Sequence, residues 1–506
     1  MSNNLLHLQE QIMPESQQLL IGGNGQQTVF MNASMANRHG MVAGATGTGK
    51  TVTLQILAEN FSKIGVPVFL ADVKGDVSGI GKAAKPHPKI TERIEKIGID
   101  GYQMNPNPVV FWDLFAKKGH PIRTTVSEIG PLLLANLLEL NDIQTGILYS
   151  CFKIADDQGM LILDLKDLRS MLIWMGENRA TLKSEYGNIS TASIGAIQRG
   201  LLVLDEQGAE FLLGEPAIEL QALMSHDFSG RGVINILDAS KLIQSSPKLY
   251  STFLLWLLSE LFETLPEVGD AEKPKFVMFF DEAHLLFNDA PKVLTNKIEQ
   301  VVRLIRSKGV GIYFVSQSPL DIPEEILGQL GLKIQHSLRA FTPKDQKAVR
   351  TVAGTFRANP NIDTGTVITQ LGVGEALVST LNHEGIPTQV ERILIRPPES
   401  RIGPMSSAER QEQIGRSPYR GRYDTPLDRE SAYEMLIKRA EKNAAQEQAI
   451  EKEEQAREAA EKAARPSRRS SRQTPTEAFI SSAARSIGSQ LGRRVIRGIL
   501  GSLFKG

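Results

Sequence analysis

The segment from Gly40 to Thr51 constrains the fold of this chain more than any other. It reads GMVAGATGTGKT, so a short apolar run leads into a turn rich in glycine. Gly44, Gly49, Lys50 and Thr51 occupy the fixed positions of the pattern G-x-x-x-x-G-K-[ST]. An apolar strand, this turn and a helical pattern after it together predict a phosphate-binding loop (P-loop).

The residue types in the loop explain this chemistry. Glycine adopts backbone conformations that a Cβ forbids, so successive N–H groups can point at one anion. The residues that would form this cradle are Gly44, Ala45, Thr46, Gly47, Thr48 and Gly49. We expect Lys50 to reach the β- and γ-phosphates of ATP and the Thr51 hydroxyl to bind Mg²⁺. The helix that begins near Lys50 would add its positive dipole end. The alternative is a flexible Gly/Thr loop, which the flanking apolar patterns disfavour.

A second apolar strand ends in an acidic pair. Residues 275–284 read KFVMFFDEAH, so Asp281 and Glu282 directly follow the apolar run. Downstream of a P-loop, this pattern predicts a Walker B strand. Asp281 would hold Mg²⁺ through water, and Glu282 would polarise the attacking water as general base. The alternative is an acidic pair that caps a strand end. Asp72 ends another apolar run, where it would orient water or Mg²⁺, or belong to an ordinary polar turn.

One glutamine and two arginines complete the candidate site. Gln317 lies at the end of an apolar run, where it would sense the γ-phosphate or cap the turn before Pro319. Arg303 and Arg306 lie on a predicted helix, residues 296–308. They would be solvated there, or one would reach the nucleotide of a neighbouring subunit. An arginine finger stabilises charge on a transferring phosphoryl group, and we favour Arg306 for this role.

The order of the segments predicts the domain organisation. Strand and helix patterns alternate around the P-loop, which predicts an α/β fold with a mainly parallel sheet. Thr342, Pro343 and Asp345 predict a helix N-terminus. We expect short strands in Thr364–Ser379 and Gln389–Ile395. We predict an N-terminal lip and P-loop half (1–120), a helical insertion (121–225), a Walker B and sensor half with a β-rich flap (226–405), a linker (406–430), a charged helix (431–465), and a basic segment that ends in an amphipathic helix (466–506).

Composition bounds the cellular setting and the partners. Lys plus Arg and Asp plus Glu number 57 each, so net charge does not predict polyanion binding. The single cysteine, Cys151, excludes an intramolecular disulfide and fits a buried position in a reducing compartment. We find no secretory signal and no apolar stretch able to span a bilayer, and expect a cytoplasmic protein. The amphipathic tail would dock on protein, which we favour, or on anionic lipid or nucleic acid.

These motifs together resemble those of additional-strand P-loop ATPases, and of the HerA/FtsK translocases in particular. In the sequence RLIRSKGVGIYFVSQSP (303–319), Arg306 precedes a strand, and Gln317 and Pro319 follow it, as in that group. Further segments resemble the bacterial family of HerA-like C-terminal-domain proteins, also called domain of unknown function 853. These segments are 120–130, 330–340 and 371–378, and the resemblance covers roughly residues 10–505.

The resemblance implies a RecA/FtsK-like core that forms a hexameric ring, with ATP at the subunit interfaces and DNA in the pore. It assigns phosphate and Mg²⁺ to Lys50 and Thr51, Mg²⁺ to Asp281, the base to Glu282, the sensor to Gln317, and a finger in trans to Arg306 or Arg303. Two functions stay open. The favoured one is an ATP-hydrolysing ring motor on duplex DNA. The other is an ATP-controlled scaffold that recruits a protein or membrane partner through its C-terminal arm.

Overall fold

The computed structural model describes residues 18–269, 271–288 and 292–464. Within these residues the strands form one sheet in the order β2-β1-β11-β10-β9-β3-β8-β7-β4-β6-β5. They are β1 (Gln18–Gly23), β2 (Thr28–Asn32), β3 (Gly40–Ala43), β4 (Val68–Asp72), β5 (Val109–Trp112), β6 (Ile234–Asp238), β7 (Phe276–Phe280), β8 (Val310–Ser316), β9 (Leu332–Gln335), β10 (Glu375–Ser379) and β11 (Glu391–Ile395).

The centre of the sheet is parallel. The P-loop strand β3 pairs in parallel with β8 and β9, and the series continues in parallel from β8 through β7, β4 and β6 to β5. Strands β3, β4, β6, β7 and β8 are buried at every position. This is expected when helices cover both faces of a parallel sheet. The predicted α/β fold class with a mainly parallel sheet is confirmed, and β8 is the additional strand between β3 and β7.

Helices cover both faces of this sheet. In chain order, the helices of the described residues are α1 (Lys50–Lys63), α2 (Pro88–Ile97), α3 (Val126–Leu137), α4 (Asp142–Asp157), α5 (Leu165–Glu177), α6 (Arg179–Tyr186), α7 (Thr191–Glu206), α8 (Ala209–Leu212), α9 (Leu220–Leu223), α10 (Ser240–Ser245), α11 (Pro247–Thr264), α12 (Lys292–Ile305), α13 (Glu324–Leu327), α14 (Pro343–Ala353), α15 (Thr364–Gln370), α16 (Ser407–Gly415) and α17 (Ala432–Ala464).

The helical insertion shares a core with one face of the sheet. Helices α3 to α9 lie between β5 and β6 in the chain. Their apolar residues form one buried cluster with α11 and α12, and Cys151 lies in this cluster, buried as expected. Helix α1 packs in a second cluster, on the other face. Local sequence fixes several of these helix starts: Asn141 and Asp164, for example, each begin a helix with a reciprocal capping box.

The prediction of a β-rich flap is wrong in two respects. Residues Thr364–Gln370, which we expected to carry strands, form α15, because Asp363 caps the first turn and Ile368 is buried in a small cluster with α14. Strands β10 and β11 do not form a separate flap, since they extend the main sheet in antiparallel pairing. Thr, Val and Ile favour strands weakly, and packing against α14 outweighs that preference here.

The linker predicted at 406–430 is also wrong, because this segment packs against the part of the sheet formed by β5 and β6. The side chain of Arg410, on α16, lies 2.6 Å from the Asp238 carboxylate. Tyr419 and Tyr423 are buried, with ring centroids 5.6 and 5.4 Å from that of Trp112. The apolar residues here are isolated in a polar sequence, so no periodicity revealed the packing.

The predicted charged helix is present as α17, which is mostly exposed from residue 438 to residue 461. The predictions for 466–506 lie outside the described residues. Within the described part of the chain, no helix combines the length and the apolar character needed to cross a membrane.

Candidate active site

The P-loop backbone depends on glycine at three places. Gly44, Gly47 and Gly49 have φ angles of 154°, 82° and 117°, which L side chains rarely adopt. A Cβ on Gly44 would lie 2.5 Å from Cβ of His336, and one on Gly49 would lie 3.3 Å from Gly374. The loop is therefore held tightly between the end of β9 and the turn before β10.

His336, which directly follows β9, supports the P-loop. Its Nε2 lies 2.8 Å from Thr53 Oγ1, on the helix that follows the loop, and its Nδ1 lies 2.9 Å from the carbonyl oxygen of Glu375. Burial lowers the pKa of His336 to about 4, so the ring is neutral at pH 7. The N–H of Ala45 donates to the carbonyl of Ser337 at 2.8 Å. The residues that directly follow β9 thus hold the P-loop in two ways: Ser337 through a backbone hydrogen bond and His336 through its side chain.

Lys50 points back into the loop. Its Nζ donates to the carbonyl oxygens of Gly44 at 2.5 Å and Ala45 at 3.1 Å, and the residue is only 5% exposed. Burial lowers the pKa of Lys50, the charge of Lys74 lowers it further, and the carboxylate of Glu282 opposes both effects. Two lysines and an acidic group therefore interact electrostatically at this edge.

The acidic pair lies at the same edge of the sheet as the P-loop, because β3, β8 and β7 are parallel and end together. Glu282 is 7% exposed and has a left-handed backbone, φ 47°. Its Oε1 lies 2.8 Å from Nζ of Lys74. Its Oε2 is buried and has no hydrogen-bond partner among the described residues, with His284 Nδ1 at 3.4 Å. One oxygen of the carboxylate is therefore paired, and the other is left unsatisfied.

The two carboxyl groups differ in ionisation. Burial raises the pKa of Asp281 to about 7, although the charge of Lys74 opposes this. Burial also acts to raise the pKa of Glu282, but the hydrogen bond and charge of Lys74, with smaller contributions from His284 and Lys50, hold it below its usual value. Glu282 is therefore ionised at pH 7, as a general base requires.

Asp72 holds a turn. It is fully buried at the end of β4, where its Oδ1 accepts from the N–H of Gly75 at 2.7 Å and its Oδ2 from that of Val77 at 3.2 Å. Burial raises its pKa to about 6. Of the two alternatives that the sequence left open, the structure favours the polar turn, and this turn carries Lys74 to the site.

Gln317 is exposed immediately after β8, at the same edge. The cap of the following turn is Ser318, whose hydroxyl accepts from the N–H of Leu320 and whose partner in a capping box is Asp321. Gln317 is therefore not needed as a cap.

The two arginines lie at the opposite edge. Arg303 is exposed and pairs with Glu299 along α12. Arg306 precedes β8, and the Asn37 side chain donates to its carbonyl at 3.4 Å. β8 has seven residues, which corresponds to about 20 Å between its two ends. Neither arginine approaches the P-loop of its own chain.

The residues at the P-loop edge fit a magnesium nucleotide. Mg²⁺ usually takes one or two protein ligands together with phosphate oxygens and water. Thr51 in the first turn of α1 and Asp281 at the end of β7 have the required chemistry. Among the described residues there is no group of three or more His, Cys, Asp or Glu that would hold a metal without a nucleotide.

Sequence reasoning did not assign roles to Lys74, His284 or His336. Lys74 follows β4, and β4 becomes the neighbour of β7 only in the folded sheet. A lysine after an apolar strand is common, so the sequence by itself does not distinguish Lys74 from other lysines. Its position beside Glu282 could be inferred only if the order of the strands in the sheet were known.

Similar proteins support a family assignment. The family described as helicase HerA-like C-terminal matches residues 17–506. The chain is 23% identical over 379 residues to the DNA double-strand break repair helicase HerA of Sulfolobus acidocaldarius, covering 71% of this chain and 65% of that protein. The Saccharolobus solfataricus protein of the same name is 23% identical over 372 residues, with 71% and 64% covered. The chain thus spans about 65% of the length of these relatives.

Solved structures also align with this chain. VirB4 of Thermoanaerobacter pseudethanolicus has a TM-score of 0.49 and 16% identity, covering 76% of this chain and 97% of that one.

Proposed function

The chain belongs to the helicase HerA-like C-terminal family, and we propose that it is an ATP-hydrolysing motor that assembles into a ring on duplex DNA. One observation carries the proposal. Lys50 and Glu282 lie at the same edge of the sheet, and Lys74 pairs with Glu282 while its charge also acts on Lys50. Hydrolysis of a phosphoanhydride needs a group that binds the phosphates and an ionised carboxylate close to them, and Lys50 and Glu282 are such groups at one edge.

Each residue then has a chemical task. Lys50 and the loop N–H groups neutralise the β- and γ-phosphates. Thr51 and Asp281 would hold Mg²⁺, which when bound supplies positive charge to the phosphate oxygens. Glu282 accepts the proton of the attacking water, and Gln317 orients that water. General-base catalysis of this kind contributes about 10²- to 10⁴-fold in rate.

We propose that Arg306 acts on the nucleotide of a neighbouring subunit, with Arg303 as the second candidate. In a ring made by one repeated contact, two different surfaces of the chain meet at each interface. The edge with Arg306 and the edge with Lys50 are opposite edges of the same sheet. A head-to-tail arrangement would therefore let each chain complete its neighbour's site.

The basic α14 surface supports contact with DNA. We give this name to the exposed residues Arg339, Phe341, Lys344, Lys347 and Arg350. Phe341 is 83% exposed, and the nearby carboxylate of Asp345 is engaged in a capping box with Thr342. Lysines and arginines that neutralise phosphates supply most of the affinity for nucleic acid. The curated relatives carry the name DNA double-strand break repair helicase, which favours duplex DNA.

The test measures the ATPase rate with and without duplex DNA, and the mass of the assembly in ATP. We expect DNA to stimulate turnover severalfold, and Glu282→Gln to lower turnover by about 10²-fold or more while the assembly still forms. Lys85→Gln, at an exposed position, is the matched control. Turnover that Glu282→Gln leaves intact would exclude the proposed base.

The second candidate function is an ATP-controlled scaffold. The observation that favours it is α17, which spans 33 residues and is largely exposed, as a helix that recruits a partner would be. Assembly that depends on ATP, persists in Glu282→Gln and shows no stimulation by DNA would support the scaffold over the motor.

A further inference from the structure

The proposed general base is engaged by a lysine. The 2.8 Å contact between Glu282 Oε1 and Lys74 Nζ is a charge-assisted hydrogen bond, which is stronger than one between neutral groups. Glu282 is almost completely buried, which limits the room for its side chain to leave this contact. A carboxylate in such a contact has less freedom to take a proton from water.

Lys74 has a fixed backbone and a movable ammonium group. Both carboxylate oxygens of Asp72 accept backbone N–H groups from the turn, at Gly75 and Val77. The Lys74 side chain itself is 37% exposed. Its four-carbon chain can therefore move the charge by several ångströms without a change in the turn.

The same ammonium is coupled to the P-loop. Strands β4 and β3 belong to one parallel series with β7 and β8, so Lys74 after β4 and the P-loop after β3 lie at the same edge of the sheet. Lys50 hydrogen-bonds there to the loop carbonyls of Gly44 and Ala45. Phosphates held by the loop would therefore lie within the electrostatic reach of Lys74. A γ-phosphate carries more negative charge than one carboxylate, so it competes with Glu282 for this lysine.

We propose that Lys74 is a positioning residue with two alternative partners: the carboxylate of Glu282, as in this structure, and the γ-phosphate of bound ATP. The inference rests on the proposed ATP site. When Lys74 moves to the γ-phosphate, Glu282 becomes free to accept a proton from water. ADP has no γ-phosphate and leaves Lys74 on Glu282, so the base is released only when there is a bond to hydrolyse.

The test compares wild type, Lys74→Met, Glu282→Gln and the double variant. The affinities for ADP and for a non-hydrolysable ATP analogue are measured with Mg²⁺ by calorimetry, so that no turnover is needed. We expect Lys74→Met to weaken the analogue about fivefold to tenfold and to change ADP affinity less than twofold. Glu282→Gln should strengthen the analogue severalfold, because a neutral amide competes less for Lys74.

The double variant separates competition from independent effects. If Lys74 exchanges between the two partners, the gain from Glu282→Gln disappears once Lys74 is replaced, so the two changes are not additive. Lys74→Arg, which keeps the charge, should retain most of the preference for the analogue. Lys85→Met, at an exposed position, should behave as wild type. Thermal melting of each variant identifies any that fail to fold, and Lys74→Gln then replaces Lys74→Met.

Two failures are distinguishable. If the wild type binds and hydrolyses ATP but the ratio of analogue to ADP affinity is the same in all four proteins, the exchange of Lys74 is overturned and the ATPase proposal stands. If the wild type neither binds nor hydrolyses ATP, both proposals fall.

Discussion

The two edges of the parallel sheet differ in the chemistry they carry. At the edge where the strands end, Lys50, Lys74 and the acidic pair Asp281–Glu282 interact. At the edge where the strands begin, Arg306 lies beside Asn37. Because parallel strands all end on one side, residues that follow different strands meet there however far apart they are in the chain. In the proposed motor, one edge carries the phosphate-binding lysine and the general base, and the other edge supplies an arginine to the neighbouring subunit.

The first prediction concerns the edge with the P-loop. Lys50→Ala should reduce ATP turnover by roughly a thousandfold or more, since it removes a buried cation aimed at the site where charge develops. The measurement is steady-state phosphate release, with Lys63→Ala in the same helix but distant from the loop as control. Normal turnover in Lys50→Ala would contradict the claim that ATP is hydrolysed at the P-loop edge.

The second prediction concerns the opposite edge. Arg306→Ala should assemble as wild type but hydrolyse ATP about a thousandfold more slowly, the usual scale for an arginine finger. Mixing it with Lys50→Ala subunits should restore part of the activity, because some interfaces then join an intact Lys50 to an intact Arg306. Arg416→Ala is the matched control, since the exposed Arg416 pairs with Glu412 on the surface, and Arg303→Ala tests the second candidate for the finger. Mixed rings without restored turnover would argue against a finger in trans.

The third prediction uses a buried histidine at each edge. Burial lowers the pKa of both His39 and His336 from 6.5 to about 4. The unfolded chain therefore binds protons first as the pH falls from about 6.5 to 4, and stability is lost in this window. Within this window each histidine should lower the free energy of unfolding by up to about 1.4 kcal/mol for each pH unit that the pH falls. Well above pH 6.5 it should have no such effect.

Denaturant unfolding at pH 7, 6 and 5 measures this slope. His39→Gln and His336→Gln should each give a shallower dependence than wild type, and the same change at the exposed His383 serves as control. If only one variant changes the dependence of the free energy of unfolding on pH, only the histidine replaced in that variant is buried well enough to have a lowered pKa.

The fourth prediction concerns the basic α14 surface, whose residues follow the carboxyl end of β9 in the chain. Replacing Lys344 and Lys347 by Glu should reduce the stimulation by DNA several-fold and lower the salt dependence of binding by about one unit per lost phosphate contact. Basal turnover should stay within twofold. The same replacements at Lys85 and Lys89, on the exposed α2 side, provide the control. Unchanged stimulation would exclude this surface as the DNA contact.

The local signals in the sequence were sufficient for some elements and insufficient for others. The strand and helix that flank the glycine-rich loop, the strand before the acidic pair and the helix start at Thr342 were predicted correctly, because each depends on residues within a few positions of one another. The segment 364–370 was predicted as strand and is helix, because a distant contact with α14 outweighs its local preference. The segment 406–430 looked like a linker, because its anchors at Arg410, Tyr419 and Tyr423 have partners far away in the chain.

The sequence alone determined where the glycine-rich loop joins a strand to a helix and which strand ends in an acidic pair, since glycine conformation and strand polarity act locally. Only the tertiary structure decided that β4 lies beside β7, and hence that Lys74 pairs with Glu282. It also decided that Arg306 lies at the far edge from Lys50. The physical reason is that sheet order depends on the packing of whole elements, whose contacts are long-range and leave no mark in a short window of sequence.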